Sequence, residues 1–242
     1  MTKRAAEATM RLEPIRPWLW CLRTDLVQAY AVRQGDGFNL IDASTAGSEE
    51  AILGCLATID RTAPEAVQLN DIVITHGHDD HSGAAAGLAR RTGARILASA
   101  TDAPVIEGRK VQPEPQLTDW EVPLYEQVVP SVPPAPPAPV DVLLDDGALL
   151  EWDQPAVVVS TPGHTPGSVS LLFSRARTLI AGDAIASHEC EPILGVFNAD
   201  PDRARRSFRA LAGLDVEVAC FGHGEPLLHN AQERLAGVAA RL

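Results

Sequence analysis

The chain has 242 residues, 45% of them hydrophobic and 21% charged, a globular balance whose length fits one α/β domain. A formal net charge of -12 argues against a nucleic-acid partner, which requires a basic surface, and no apolar run is long enough to span a bilayer. Lys3 and Arg4 are followed by no apolar stretch, and the four cysteines form no C-x-x-C pair. Both features fit a cytoplasmic protein with buried thiols rather than a secreted disulfide framework.

Strand-like runs at Trp18–Arg23, Val27–Arg33 and Phe38–Asp42, the last two separated by Gly35-Asp36-Gly37, predict an opening meander. Ser48 as N-cap, Glu49 and Glu50 in the first turn and an apolar pattern through Ile59 predict a helix. Asp71–Thr75 is a short apolar run suited to a buried strand. It leads into His76-Gly-His-Asp-Asp-His-Ser-Gly83 and then into the alanine-rich, helix-favouring Ala84–Arg91. Histidines therefore gather where a strand ends and a helix begins, the place where α/β sheets put their sites.

Arg95–Ala98 predicts another strand. Residues Gln112 to Pro139 are proline-dense, and because proline lacks the amide donor and fixes its own φ, the segment is expected to be an extended loop without helix. It reads either as a solvated linker or as a flap over a site, and Trp120, Leu124 and Tyr125 within it favour the flap, with Tyr125 as a substrate contact. Beyond it, Val142–Leu144, Ala148–Trp152, Ala156–Ser160, Val169–Phe173 and Leu179–Ala181 predict successive strands. Pro201–Leu211 predicts an amphipathic helix, Val216–Phe221 the last strand and Leu228–Leu242 the last helix.

Three of the seven histidines fall in His76-x-His78-x-Asp80-His81. Imidazole and carboxylate together suit zinc, manganese or iron, and the absence of nearby thiolates argues against a structural zinc site. A catalytic zinc keeps three protein ligands and an open position, so four donors in one motif imply a second ion. Alternation along an extended turn would let His76 and His78 grip one ion while Asp80 and His81 face another. Further candidate ligands recur beside glycines: Pro162-Gly-His164-Thr-Pro-Gly167, Ala181-Gly-Asp183 and Phe221-Gly-His223-Gly224.

With these residues the chain resembles the metallo-β-lactamase superfamily, in its glyoxalase II-like hydrolase branch. The match is T-H-x-H-x-D-H from Thr75 to His81, P-G-H-T-P-G-S from Pro162 to Ser168, A-G-D from Ala181 to Asp183 and G-H-G from Gly222 to Gly224. The resemblance implies a layered α/β fold, a four-layer αββα sandwich, with two divalent ions, zinc first and iron or manganese as alternatives, along one edge. It would place His76, His78 and His164 on the first ion, Asp80, His81 and His223 on the second, and Asp183 between them. Its implied chemistry is attack of a metal-bridging hydroxide on an ester, thioester or lactone carbonyl of a small acyl substrate, with Asp80 orienting the nucleophile or passing its proton to the leaving group.

Glyoxalase II carries a helical C-terminal domain that helps bind glutathione, whereas nineteen residues follow His223 here, so glutathione thioesters are doubtful substrates. The alternatives are a mononuclear iron persulfide dioxygenase-like oxygenase and a catalytically silent metal-binding protein. Asp42 and Asp79 are candidates to orient ligating imidazoles, and His188 is a candidate pocket residue.

Overall fold

Side chains of the first strands alternate between two apolar environments. Leu19, Cys21, Tyr30 and Val32 are buried toward one side of their sheet, and Leu22, Ala29 and Ala31 toward the other. A strand that presents apolar groups on both faces must be covered on both, and the rest of the chain supplies the covers. The computed structural model describes residues 10–242; the N-terminal segment read above as carrying no leader lies largely outside the described residues.

The first sheet runs in chain order, β1 (Arg11–Arg16), β2 (Leu19–Arg23), β3 (Gln28–Gln34), β4 (Gly37–Ile41), β5 (Leu69–Val73), β6 (Arg95–Ser99) and β7 (Val142–Leu144). β1 to β4 form an antiparallel meander and β4 to β7 pair in parallel. The second sheet contains β8 (Leu149–Leu150), β9 (Ala156–Ser160), β10 (Val169–Phe173) and β11 (Thr178–Ile180). After a separate hairpin of β12 (Ile185–His188) and β13 (Glu191–Leu194) comes β14 (Val218–Cys220), which pairs in parallel with β11.

Between the sheets lies one apolar layer, in which Leu19, Tyr30 and Val73 meet Leu171, Phe173 and Val218. On the outer face of the first sheet sit α1 (Glu49–Asp60) and α3 (Ala85–Thr92), which bury Ile52, Leu56 and Leu88; α2 (Asp79–Ser82) is a single turn before α3, and α4 (Ala103–Ile106) another single turn after β6. On the outer face of the second sheet sit α6 (Pro201–Ala212) and α7 (Ala231–Ala239), burying Phe208, Leu211 and Leu235; α5 (Glu121–Val128) belongs to the segment between β6 and β7. The layers are therefore helix, sheet, sheet, helix, the αββα order that the motifs imply.

Asp200 caps α6 by accepting the Arg203 amide at 2.9 Å, with Pro201 in the first turn. Ser48 occupies the N-cap position of α1, its carbonyl accepting the Ile52 amide at 2.9 Å, but its hydroxyl makes no cap bond and lies 3.3 Å from Ser44 Oγ. The last helix begins at Ala231 rather than Leu228, because Leu227 bridges back to Ala219 and Asn230 turns the chain at a φ of 53°.

The expectation of an unbroken extended loop at 112–139 is wrong. Glu121–Val128 is helical, with Pro123 in the first turn, where a missing N–H costs nothing. The start is secured by Glu121, whose Oε2 accepts both the Thr118 amide at 2.8 Å and the Thr118 hydroxyl at 2.7 Å, part of a capping box. Glu121 Oε1 accepts the Phe197 amide at 2.9 Å, so the segment is pinned to the second half of the chain. Burial disfavours the Glu121 charge, but these donors overcome it and hold the carboxyl below its usual range.

Candidate metal centre

His76 follows β5, His164 lies in the loop after β9, Asp183 in the turn after β11, and His223 after β14. All four positions are carboxyl ends of strands, so loops from both sheets converge at one edge. The one-turn α2 begins just after His78 and turns Asp80 and His81 toward the same point; the His81 amide bonds back to the His78 carbonyl at 3.1 Å.

The seven side chains form three overlapping groups: His76 with His78 and His164, His76 with His81 and Asp183, and Asp80 with His81 and His223. In each group one donor atom per residue lies within 4.8 Å of the others. Asp183 is central. Its Oδ2 is 3.2 Å from His223 Nε2 and 3.5 Å from His164 Nε2, and its Oδ1 is 3.4 Å from His81 Nε2.

Outer contacts fix which nitrogen each ring presents. His164 Nδ1 is 3.0 Å from the Val196 carbonyl, His223 Nδ1 is 2.7 Å from the Leu26 carbonyl, and His81 Nδ1 is 2.9 Å from Asp42 Oδ2. Thr75 gives its hydroxyl proton to Asp42 Oδ2 at 2.9 Å, which leaves its oxygen to accept His76 Nδ1–H at 3.0 Å. With each Nδ1 spent outward, the Nε2 lone pairs of His76, His81, His164 and His223 point inward; His78 differs in turning Nδ1 inward.

The donor set fits cations. His78 Nδ1 and His164 Nε2 are 2.9 Å apart and His81 Nε2 and His223 Nε2 are 3.3 Å apart, separations at which facing lone pairs need a proton or a metal between them. His76 Nε2 and Asp183 Oδ1 are buried with no hydrogen-bond partner, which divalent ions would remedy. Protons fill part of this role in the chain alone. Burial opposes a charge on His223, but Asp183 and Asp80 overcome it and push its pKa up to about 10; His81 is raised in the same way by Asp183, Asp80 and Asp42. Burial and the His78 imidazole instead push His164 down to about 3. Asp183 and Asp80 stay ionised against burial because His81 and His223 face them.

The motif loops are fastened by residues that carry no motif. Asp102, buried after β6, accepts the Gly77 amide at 2.9 Å and the Thr165 hydroxyl at 2.6 Å, which ties the His76–His78 turn to the His164 loop. A Cβ on Gly167 would collide with Asp102, so the close approach needs glycine there. Tyr30 holds the His223 loop: its hydroxyl lies 2.7 Å from the Phe221 carbonyl and accepts the Phe221 amide at 3.1 Å. A Cβ on Gly222 would lie 2.6 Å from His81 Cε1 and collide with Asp183 Oδ1. Asp102 and Tyr30 gave no sequence signal, since their roles exist only once distant segments meet.

Of the other sequence-predicted residues, Asp42 sits behind His81, held at a φ of 59° that a non-glycine residue adopts only under constraint. Asp79 orients no imidazole; its Oδ1 accepts the Ala135 amide at 3.1 Å and so tethers the proline-dense segment to the histidine motif. His188 is exposed at the end of β12, paired in register with Glu191, and does not line the cavity, because the hairpin carries it away from the centre. Tyr125 does line it, packed edge-on against Phe197 with ring centroids 5.1 Å apart.

That cavity has a volume of about 450 Å³ and opens over His78, Asp80, His164, Asp183 and His223. Its walls are apolar, with Leu124, Tyr125, Val128, Val129 and Val132 from the 112–139 segment facing Leu26 and Phe197. The segment therefore supplies one wall of the cavity over the centre. Among the described residues no helix is long and apolar enough to cross a membrane.

An αββα sandwich with this donor set at the carboxyl edge of its strands defines a class, the metal-dependent hydrolases built on that fold. The chain belongs to the metallo-beta-lactamase superfamily, whose family model matches residues 22–223. It is 31% identical to Probable metallo-hydrolase YflN of Bacillus subtilis (strain 168), over 85% of this chain and 82% of that protein. It is 30% identical to a hydroxyacylglutathione hydrolase of Acidiphilium cryptum (strain JF-5), over 73% of this chain but 58% of that protein. Among solved structures, the Rm3 metallo-beta-lactamase superposes with a TM-score of 0.71 at 20% identity, covering 97% of this chain and 93% of that one, a likeness of fold.

Proposed function

We propose that this protein is a dinuclear hydrolase of carboxylic esters, thioesters or lactones, with His76, His78 and His164 holding one ion, Asp80, His81 and His223 the other, and Asp183 between them. The observation that carries the reading is the set of overlapping donor groups around Asp183, with Nδ1 of four rings spent outward and Nε2 turned in. Kinship with hydroxyacylglutathione hydrolases supports acyl transfer to water over phosphoester cleavage.

Divalent ions held there would supply Lewis acidity toward a carbonyl oxygen and a water that ionises near pH 7, about nine units below its bulk pKa. The chain's own part is positioning. Asp80, with 17% of its side chain exposed, borders both the His81–His223 group and the cavity. It is the carboxylate able to orient the attacking water and to carry its proton toward the leaving group. The flap walls, Leu124, Val128 and Val132 among them, hold the acyl portion and exclude water.

The test is element-resolved metal content on protein purified without added metal, paired with turnover of a generic thioester before and after chelation. Close to two ions per chain with chelator-sensitive turnover is expected. About one iron with oxygen uptake and no hydrolysis would replace this reading by an oxygenase, and no bound metal would sink it.

A further inference from the structure

The loop from Val196 to Ala199 holds His164 at two points. The Val196 carbonyl accepts His164 Nδ1–H at 3.0 Å, and the Ala199 amide donates to the His164 carbonyl at 3.0 Å. With Nδ1 engaged in this way, the orientation of the ring and the direction of its Nε2 lone pair follow the position of the loop.

The 112–139 segment grips the same loop from the other side. Gln116 donates its amide to the Asn198 carbonyl and its Nε2 to the Ala199 carbonyl, both at 2.9 Å. Glu121 and Tyr125, one turn apart on α5, share a face of that helix, and both act on Phe197. Glu121 Oε1 accepts the Phe197 amide at 2.9 Å, and Tyr125 packs against the Phe197 ring. Phe197 sits at a φ of 58°, which a bulky residue keeps only where its surroundings impose it, and the hold on its amide and ring is such an imposition.

The Phe197 N–H and the Val196 C=O belong to one peptide group. A trans peptide points the two in opposite directions, so the buried Glu121 carboxylate, the peptide and the His164 imidazole form a single hydrogen-bonded chain. Each bond in such a chain polarises the next. Negative charge on the N–H side makes the carbonyl a stronger acceptor, which leaves the imidazole a stronger electron-pair donor at Nε2. Asp42 stands directly behind His81, whereas Glu121 reaches His164 across one peptide.

We infer that Glu121 is a positioning residue for the ion assigned to His164, acting through the Val196–Phe197 peptide, so that occupancy of that ion and the folding of α5 are coupled. The inference rests on the dinuclear reading and gives the proline-dense segment a role that does not depend on the substrate. Coupling is reciprocal: if an ordered α5 strengthens binding of the ion, the ion must order α5.

The experiment titrates zinc into the metal-free full chain and follows heat, amide hydrogen exchange and the imidazole proton resonances. Glu121→Gln keeps the size of the side chain but cannot present oxygens to both Phe197 and Thr118, whereas Thr118→Val trims the helix cap and leaves Glu121 on Phe197. In Glu121→Gln one of the two zinc affinities should fall about tenfold and the other stay within about twofold. The Nδ1 proton of His164 should move upfield, with those of His81 and His223 in place. Thr118→Val should change neither affinity by more than about twofold, since the cap alone does not reach His164. In the wild type, zinc should slow exchange of the α5 amides by about fivefold or more, and this slowing should vanish in Glu121→Gln.

Equal loss at both sites, or unchanged affinities in a folded Glu121→Gln, would overturn the inference and leave the dinuclear reading standing. Should Glu121→Gln not fold, the wild-type exchange decides alone, and α5 amides indifferent to zinc would overturn it. Failure of the wild type to bind zinc would remove the dinuclear reading itself, and this inference with it.

Discussion

Asp42 Oδ2 lies 2.9 Å from His81 Nδ1 and also accepts the Thr75 hydroxyl at 2.9 Å, so one carboxylate oxygen orients His81 directly and His76 through Thr75. Asp42→Asn keeps the shape and removes the charge. Metal affinity is expected to fall roughly 10- to 100-fold, the usual cost of losing a carboxylate behind a ligating imidazole. Competition against a chromophoric chelator measures it, and unchanged affinity would show that Asp42 only shapes the β4 end.

Metal uptake should release protons. In the chain alone His223 titrates at about 10, above its ordinary 6.5, and His81 is raised as well. The stabilisation from holding the His223 proton is complete below about pH 6.5 and is lost as pH rises through about 10. Loaded protein lacks those protons, so metal affinity and the metal-induced gain in Tm should both grow between pH 6.5 and pH 9. Titration calorimetry in buffers of different ionisation enthalpy reads the proton count; identical heats in every buffer would contradict the expectation.

Gly222→Ala places a methyl where Asp183 Oδ1 and His81 Cε1 meet. Overpacking of this kind costs about 1–3 kcal/mol, and here it falls on the shared carboxylate. The expected result is a folded protein by circular dichroism that retains well under half of the wild-type metal and loses turnover in proportion.

Tyr30→Phe removes a hydroxyl that is buried between β3 and the His223 loop and leaves the Phe221 amide unpaired. Urea unfolding should report a loss of about 1–3 kcal/mol with an unchanged m value. A loss confined to the loop would appear instead as weaker metal binding with the same midpoint.

Much of the centre can be read from the chain because its donors sit in short motifs with glycine neighbours, and a motif's residues keep their local relationship whatever the fold does around them. His76 to His81 are adjacent in both senses. Asp102 is different: it meets Thr165 across 63 positions and has no local mark, so only the packed sheets reveal it. The helix at Glu121–Val128 is obscured in the sequence for a physical reason. Proline density argues against helix, yet Pro123 falls in the first turn, and Thr118-x-x-Glu121, a cap signal present in the sequence, outweighs it. Asp79 illustrates the remaining ambiguity, since a carboxylate among histidines serves a tether to Ala135 as readily as a ring.

The donors are divided between the two sheets, His76 to His81 after β5 and His164, Asp183 and His223 after strands of the other, and His81 meets His223 across 142 positions. Closing so long a segment carries an entropic cost that local structure cannot offset, so the cluster can assemble only after the faces of the sandwich have docked. A bound ion would then act as a rivet between two halves joined by an apolar seam and a few polar cross-links such as Asp102–Thr165 and Tyr30–Phe221, and its retention time would measure how often that junction opens.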